Sequence, residues 1–270
     1  MATETTSIAE KSVSLSHGRT RYFEAGSGYP TILLHGAGFE NGADTWLTVM
    51  PGLARDLRVL APDSLNWGPG DPFDAEFSFA YLVDHVREFM DALGIEKANI
   101  VGHSMGGWIA TLFGYESPNR INKLVVVAAG GTATRPLATM VEWQPPEVEA
   151  MTARLAKRLA NSPLPADAII AEYVETVRDP KKTEGFAKVM RHMTNPLTRQ
   201  RYNTLRRLPF IKLPTLVVWG RNDQVNALEM GEQLNQGIAG SKLIVYDDTG
   251  HGVPHERPAE FTKDVLDFLK

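Results

Sequence analysis

Apolar and polar positions along this chain fall into two rhythms. Short apolar runs alternate with longer stretches in which apolar residues return every three or four positions. The runs are Thr31–Leu34, Arg58–Ala61, Asn99–Gly102, Lys123–Ala128, Thr215–Trp219 and Lys242–Tyr246. Most are β-branched or bounded by Gly, Pro and Asp, which predicts buried strands. Ser78–Leu93 has helical spacing, with Phe79, Leu82, Val83, Val86, Phe89, Met90 and Leu93 on one face and Gly94 as its stop. Trp108–Tyr115, closed by Pro118, Ala227–Gln236 and Pro258–Leu269 are the other helical patterns of this part. Ser12–Ser16 and Arg19–Glu24 predict a hairpin about His17-Gly18. Strands alternating with helices predict an α/β fold with a mostly parallel sheet covered on both faces.

The rhythm breaks once. From Thr132 to Leu208 there is no strand-like run, and helical spacing recurs within Val148–Leu159, Ala166–Val177 and Phe186–Met193. Prolines at 136, 145, 146, 163, 165, 180 and 196 punctuate these segments. The pattern predicts a helical cap, residues 132–208, inserted into a core made of residues 1–131 and 209–270.

Composition narrows the function classes. The net charge of −4, from 28 basic and 32 acidic residues, gives no basic face for nucleic acid or an anionic membrane. Without cysteine, disulfides, thiolate chemistry and Cys-based zinc sites are excluded. Residues 1–12 are polar and include Glu4 and Glu10, so no signal peptide is expected. No apolar run nears the roughly 18 residues of a membrane span. A soluble, cytoplasmic protein is the expectation.

One stretch carries chemistry. Gly102-His103-Ser104-Met105-Gly106 spells G-x-S-x-G between a predicted strand and a predicted helix. That turn lifts a serine hydroxyl off a strand end, and it needs glycines because the neighbouring chain passes too close for side chains. The helix that follows points its positive end at the serine. A hydroxyl needs a base, and the base needs a group that fixes its tautomer. Asp223, just past the Thr215–Trp219 run, and His251, between two glycines after the last run, supply them in the order Ser, acid, His. Asp223 has a blander reading as a helix cap. Asp247 and Asp248 sit too near His251 to orient it, and His103, adjoining Ser104, is a poor base.

His35-Gly36-Ala37-Gly38 follows the first central run. The backbone N–H groups of Ala37 and Met105 are the candidate oxyanion donors. The spacing misses G-x-G-x-x-G, because residue 41 is Asn, so no dinucleotide is expected. Pro254 separates His251 from His255 and spoils a helical zinc pair. No metal and no cofactor is needed. Trp67, Met140 and Trp143 are candidates for a pocket between sheet and cap, with core packing an equal reading. His35 and Arg178 are further substrate-binding candidates, Arg178 for a carboxylate.

The ordered motifs H-G-x-G, G-H-S-M-G-G, W-G-R-N-D and G-H resemble the α/β-hydrolase superfamily over essentially the whole chain. The resemblance implies an eight-stranded sheet with the cap inserted after strand six, and it suggests a homodimer. Within the superfamily the chain looks most like the meta-cleavage-product hydrolases, which cut C–C bonds of dienol keto acids. Leu33–Gly36, Asp91–Ile95, Gly130-Gly131-Thr132, Val218–Asp223 and Ile238–Ser241 carry that likeness. Departures stand at His103, where those enzymes carry Asn, at Gly252, where they carry Trp, and at Glu172, in place of a cap arginine. Their G-P-G-A run is replaced by Gly38–Ala43, and residues 63–71 depart from their usual loop. These departures favour a serine hydrolase of a small ester, lactone or related acyl compound. C–C hydrolysis in aromatic degradation is the alternative, and a triad-bearing ligand sensor a third reading.

Overall fold

In a computed structural model, which describes residues 7–136 and 138–270, every apolar run becomes a strand of one sheet. Glu4, part of the polar N-terminal stretch, lies outside the described residues. A hairpin of β1 (Ala9–Leu15) and β2 (Gly18–Ala25) forms one edge. It is followed in sequence by β3 (Tyr29–Leu34), β4 (Leu57–Pro62), β5 (Ala98–His103), β6 (Ile121–Val127), β7 (Thr215–Gly220) and β8 (Lys242–Tyr246). The order across the eight-stranded sheet is β1-β2-β4-β3-β5-β6-β7-β8. From β4 to β8 all neighbours are parallel, and only the hairpin and the β2–β4 pair are antiparallel. The strands read as unbroken apolar runs because both faces of the central ones are buried.

Among the described residues six helices belong to the sheet's two faces and loops: α1 (Met50–Leu53), α2 (Phe79–Ala92), α3 (Met105–Glu116) and, after the cap, α9 (Leu228–Gly237), α10 (Val253–Glu256) and α11 (Pro258–Leu269). Ser78 caps α2 by accepting from Ala80 N. Helix α3 is buried nearly all round, wedged against β5, β6 and α2. Between β6 and β7 lie the cap helices α4 (Ala138–Val141), α5 (Val148–Arg158), α6 (Ala166–Arg178), α7 (Pro180–Thr194) and α8 (Pro196–Tyr202). Helix α7 begins six residues before the predicted Phe186, and α8 was not predicted. In both, the proline starts a helix: Asp179 accepts from Lys181 N ahead of Pro180, and Asn195 accepts from Leu197 N and Thr198 N ahead of Pro196.

A buried polar seam joins cap to core. Asp44 accepts from Tyr173 Oη at 2.7 Å and pairs with Arg158, both on cap helices. Tyr173 Oη in turn accepts from Gly42 N at 2.8 Å. On the core side, Arg21 Nε donates to Asp63 Oδ2 at 2.8 Å, and the same guanidinium reaches Glu172 of α6. Asp63 also accepts from Ala43 N, so the loops after β3 and β4 and two cap helices meet at one point. Among the described residues no helix is long and apolar enough to cross a membrane.

Candidate active site

Ser104 joins β5 to α3 with φ +55° and ψ −112°, a conformation that side-chain-bearing residues rarely adopt. Crossing backbones create the need for glycine around it. A Cβ on Gly102 would fall 2.2 Å from the Gly106 carbonyl oxygen, and one on Gly106 would fall 2.1 Å from that of Leu34. The serine is pinned by Ser104 N donating to Val127 O at 2.9 Å. Met105 opens α3, so its N–H has no acceptor within the helix and stays available.

Asp223 sits in the loop after β7 with a fully buried side chain. Its Oδ1 accepts from Val225 N and Asn226 N at 2.8 and 2.9 Å. These bonds lie within the loop, so Asp223 does not cap the next helix, whose N-cap is Ala227 without a side-chain cap. Its Oδ2 lies 2.8 Å from His251 Nδ1. One carboxylate therefore ties its own loop and faces the imidazole. Its orientation is fixed by two backbone N–H groups, and it fixes the tautomer that leaves His251 Nε2 free to accept a proton. The Ser104 hydroxyl and the His251 ring line the same cavity; no direct hydrogen bond joins them here, a frequent state before substrate orders such a pair. His103 Nε2 donates to the His251 carbonyl at 2.8 Å. Burial, then the neighbouring His251, pushes the His103 ring down to about 3, so it is neutral and serves as a brace.

Two cavities meet at Ser104. The larger, about 460 Å³, is walled by Phe39, Trp143, Phe186, Met190 and Met140, with Glu40 and Arg154 paired at its exposed rim. Trp143 and Phe186 pack tilted at 4.6 Å, and Phe39 meets Phe186 edge-on at 5.0 Å. The smaller, about 80 Å³, is lined by Met105, Trp108, Met193 and Arg199 among others. Ala37, Ser104, Met140 and Val225 line both. Met140 and Trp143 are thus part of the larger cavity's wall.

Three candidates do not reach it. His35 is fully buried; its Nδ1 donates to Gly36 O and its Nε2 accepts from Ser64 N, both at 2.8 Å. Both ring nitrogens are consumed in tying the Gly36–Gly38 loop to the loop after β4, and burial pushes its pKa down. Trp67 donates to Gly38 O at 3.0 Å and packs edge-on against His35 and Phe186, one layer behind the wall. Arg178 ends α6 on the outer surface, 63% exposed and paired with Glu175. Sequence reasoning missed Phe39, Val225 and Arg199 outright. Phe186, Met190 and Met193 were visible as one face of a helix, but nothing in their spacing distinguished a cavity wall from core. A possible cation cluster, His17, Asp84 and Glu88, has ligand atoms within 4.8 Å, yet Glu88 is held by Ser16 and Asp84 by Arg87. It lies at the β1–β2 turn, away from the cavities.

A family model described as alpha/beta hydrolase fold matches residues 30–258. The chain belongs to the α/β-hydrolase family. This α/β-hydrolase is 34% identical over 266 residues to a 2-hydroxymuconate semialdehyde hydrolase of Pseudomonas sp. strain CF600, covering 93% of this chain and 90% of that one. It is 31% identical to a 2-hydroxy-6-oxo-2,4-heptadienoate hydrolase of Pseudomonas putida, covering 93% and 92%. A solved meta-cleavage product hydrolase from Pseudomonas fluorescens IP01 superposes with TM-score 0.78 at 28% identity, covering 96% and 97%. The enzyme is a hydrolase of this fold, similar to C–C hydrolases of aromatic degradation.

Proposed function

We propose that this hydrolase cleaves the C–C bond of a 2-hydroxy-6-oxo-2,4-dienoate, with Ser104 as nucleophile, His251 as base and Asp223 as its orienting acid. The observation that carries the reading is that the likeness to enzymes named for such dienoates spans 93% of the chain, and so takes in the cap as well as the core. The sequence departures at His103, Glu172 and Gly252 favoured an ester or lactone. The relatives move the balance to C–C cleavage, and the two-lobed cavity suits a substrate with unlike ends.

In this reading the dienol first takes its keto form, with a proton moved to C5. His251 removes the Ser104 proton as Oγ bonds to C6, and the N–H groups of Ala37 and Met105 receive the oxyanion. The C5–C6 bond then breaks. Its electron pair passes through the conjugated double bond to the C2 carbonyl, and the proton on His251 goes to the departing dienolate. Water, activated by the same histidine, releases the acyl group as a carboxylic acid.

The test compares a 2-hydroxy-6-oxo dienoate with a panel of short esters and lactones. The expected result is a kcat/KM at least about tenfold higher for the dienoate, with turnover of every substrate abolished in Ser104→Ala. Turnover of esters or lactones with none of the dienoate would overturn the C–C reading. Turnover surviving in Ser104→Ala would overturn the nucleophile.

A further inference from the structure

Arg199 stands on α8 in the wall of the smaller cavity and is 5% exposed. Its guanidinium carbon lies 5.4 Å from the centre of the Trp108 ring. Its Nη1 makes one long hydrogen bond, 3.4 Å to Ala133 O, and its Nε is buried with no partner. No carboxylate pairs with it among the described residues. The other deeply placed arginines differ: Arg21 has Asp63 and Arg158 has Asp44. Burial pulls the Arg199 pKa below the usual arginine range, and no acid opposes the shift.

An uncompensated buried cation is costly, and a fold retains one where something else completes it. Here the cation shares a cavity with Ser104, and Arg135 lines the same wall while no acidic residue does. The volume, about 80 Å³, admits a carboxylate and a short carbon stub but no ring. We propose that Arg199, with Arg135 beside it, is the carboxylate-binding group of this enzyme. The substrate class is a carbonyl compound with a carboxylate a few carbons from the attacked carbon. The carboxylate seats against Arg199, the carbonyl lies at Ser104, and the apolar remainder fills the lobe walled by Phe39, Trp143 and Phe186. Applied to the dienoate of the proposed function, on which this orientation rests, the departing half lies on the arginine side and the acyl half in the large lobe.

The deciding experiment does not depend on C–C cleavage. Two 4-nitrophenyl esters of equal acyl length are compared, the ionised glutarate half-ester and the neutral valerate, in wild type, Arg199→Met and Arg199→Lys. The readout is the ratio of kcat/KM, half-ester over valerate. The ratio is expected to fall about 100-fold in Arg199→Met, since a desolvated charge pair is lost, and about tenfold in Arg199→Lys, which keeps charge without the planar fork. A ratio that stays within about threefold of wild type in both overturns the proposal, because a purely structural arginine would slow both esters alike. Should Arg199→Met not fold, the Lys variant decides by the same ratio. Absence of dienoate turnover with an Arg199-dependent ratio would remove the C–C reading and leave this one standing. Dienoate turnover with an unchanged ratio would do the reverse.

Discussion

Asp223 illustrates how much one side chain settles. With Oδ1 taken by Val225 N and Asn226 N, only Oδ2 faces the imidazole, so the ring must present a proton there. In Asp223→Asn the backbone bonds keep the amide oxygen in place and turn the NH₂ toward His251, reversing the tautomer. Turnover should fall about 10⁴-fold while the melting temperature moves by only a few degrees, measured by steady-state rates and calorimetry. Gly106 makes a different prediction. A methyl there meets the Leu34 carbonyl at 2.1 Å, and neither backbone has room to retreat. Gly106→Ala should cost about 3 kcal/mol or more in urea unfolding, or leave no soluble protein. The glycine and serine spacing was legible because the crossing of β3, β5 and α3 imposes it locally. The duties of His35 and Trp67 were not, because their partners, Ser64 N and Gly38 O, are backbone groups brought near by the fold.

Elements were readable in proportion to their periodicity. The strands and α2, α3, α9 and α11 showed it plainly, and β8 and α11 match the predicted bounds. α1 and α10, four residues each, are too short to show a period. In the cap, Pro180 and Pro196 read as breaks, whereas both are helix starts with Asp or Asn caps. That misreading hid α8, and with it Arg199. The cap's grip on the core is also an element-scale property. Tyr173 on α6 satisfies both Gly42 N and Asp44 Oδ1, so Tyr173→Phe strands two buried polar groups at once. Urea unfolding should show a loss of about 2 kcal/mol, against under about 0.5 kcal/mol for the exposed Arg178→Ala.

For the molecule as a whole, acid is the condition to test. Burial pushes His85 down to about 4 and His103 down to about 3. Between pH 6 and 5 the unfolded chain binds protons at both positions and the native chain does not, so stability falls as pH falls through this window. Each histidine contributes close to the full linkage slope, together about 2 kcal/mol over that one unit. The urea midpoint should drop accordingly from pH 6 to 5 and stay nearly level from pH 8 to 7. Carboxylates such as Glu24 and Glu88, held low by Lys11 and Arg58 and by Ser16, add their loss only below that window.

The bond from His103 to the His251 carbonyl has a reach beyond its two ends. It staples the segment entering α3 to the loop after β8, 148 positions apart in sequence, without using anything from the insertion between β6 and β7. Reactive machinery and entrance are therefore separate pieces of furniture. Helices over the opening can tilt, be rebuilt or be exchanged for another set while the hydroxyl and imidazole keep their alignment. New compounds would be admitted by changes overhead, and the chemistry beneath would greet each of them in the same posture.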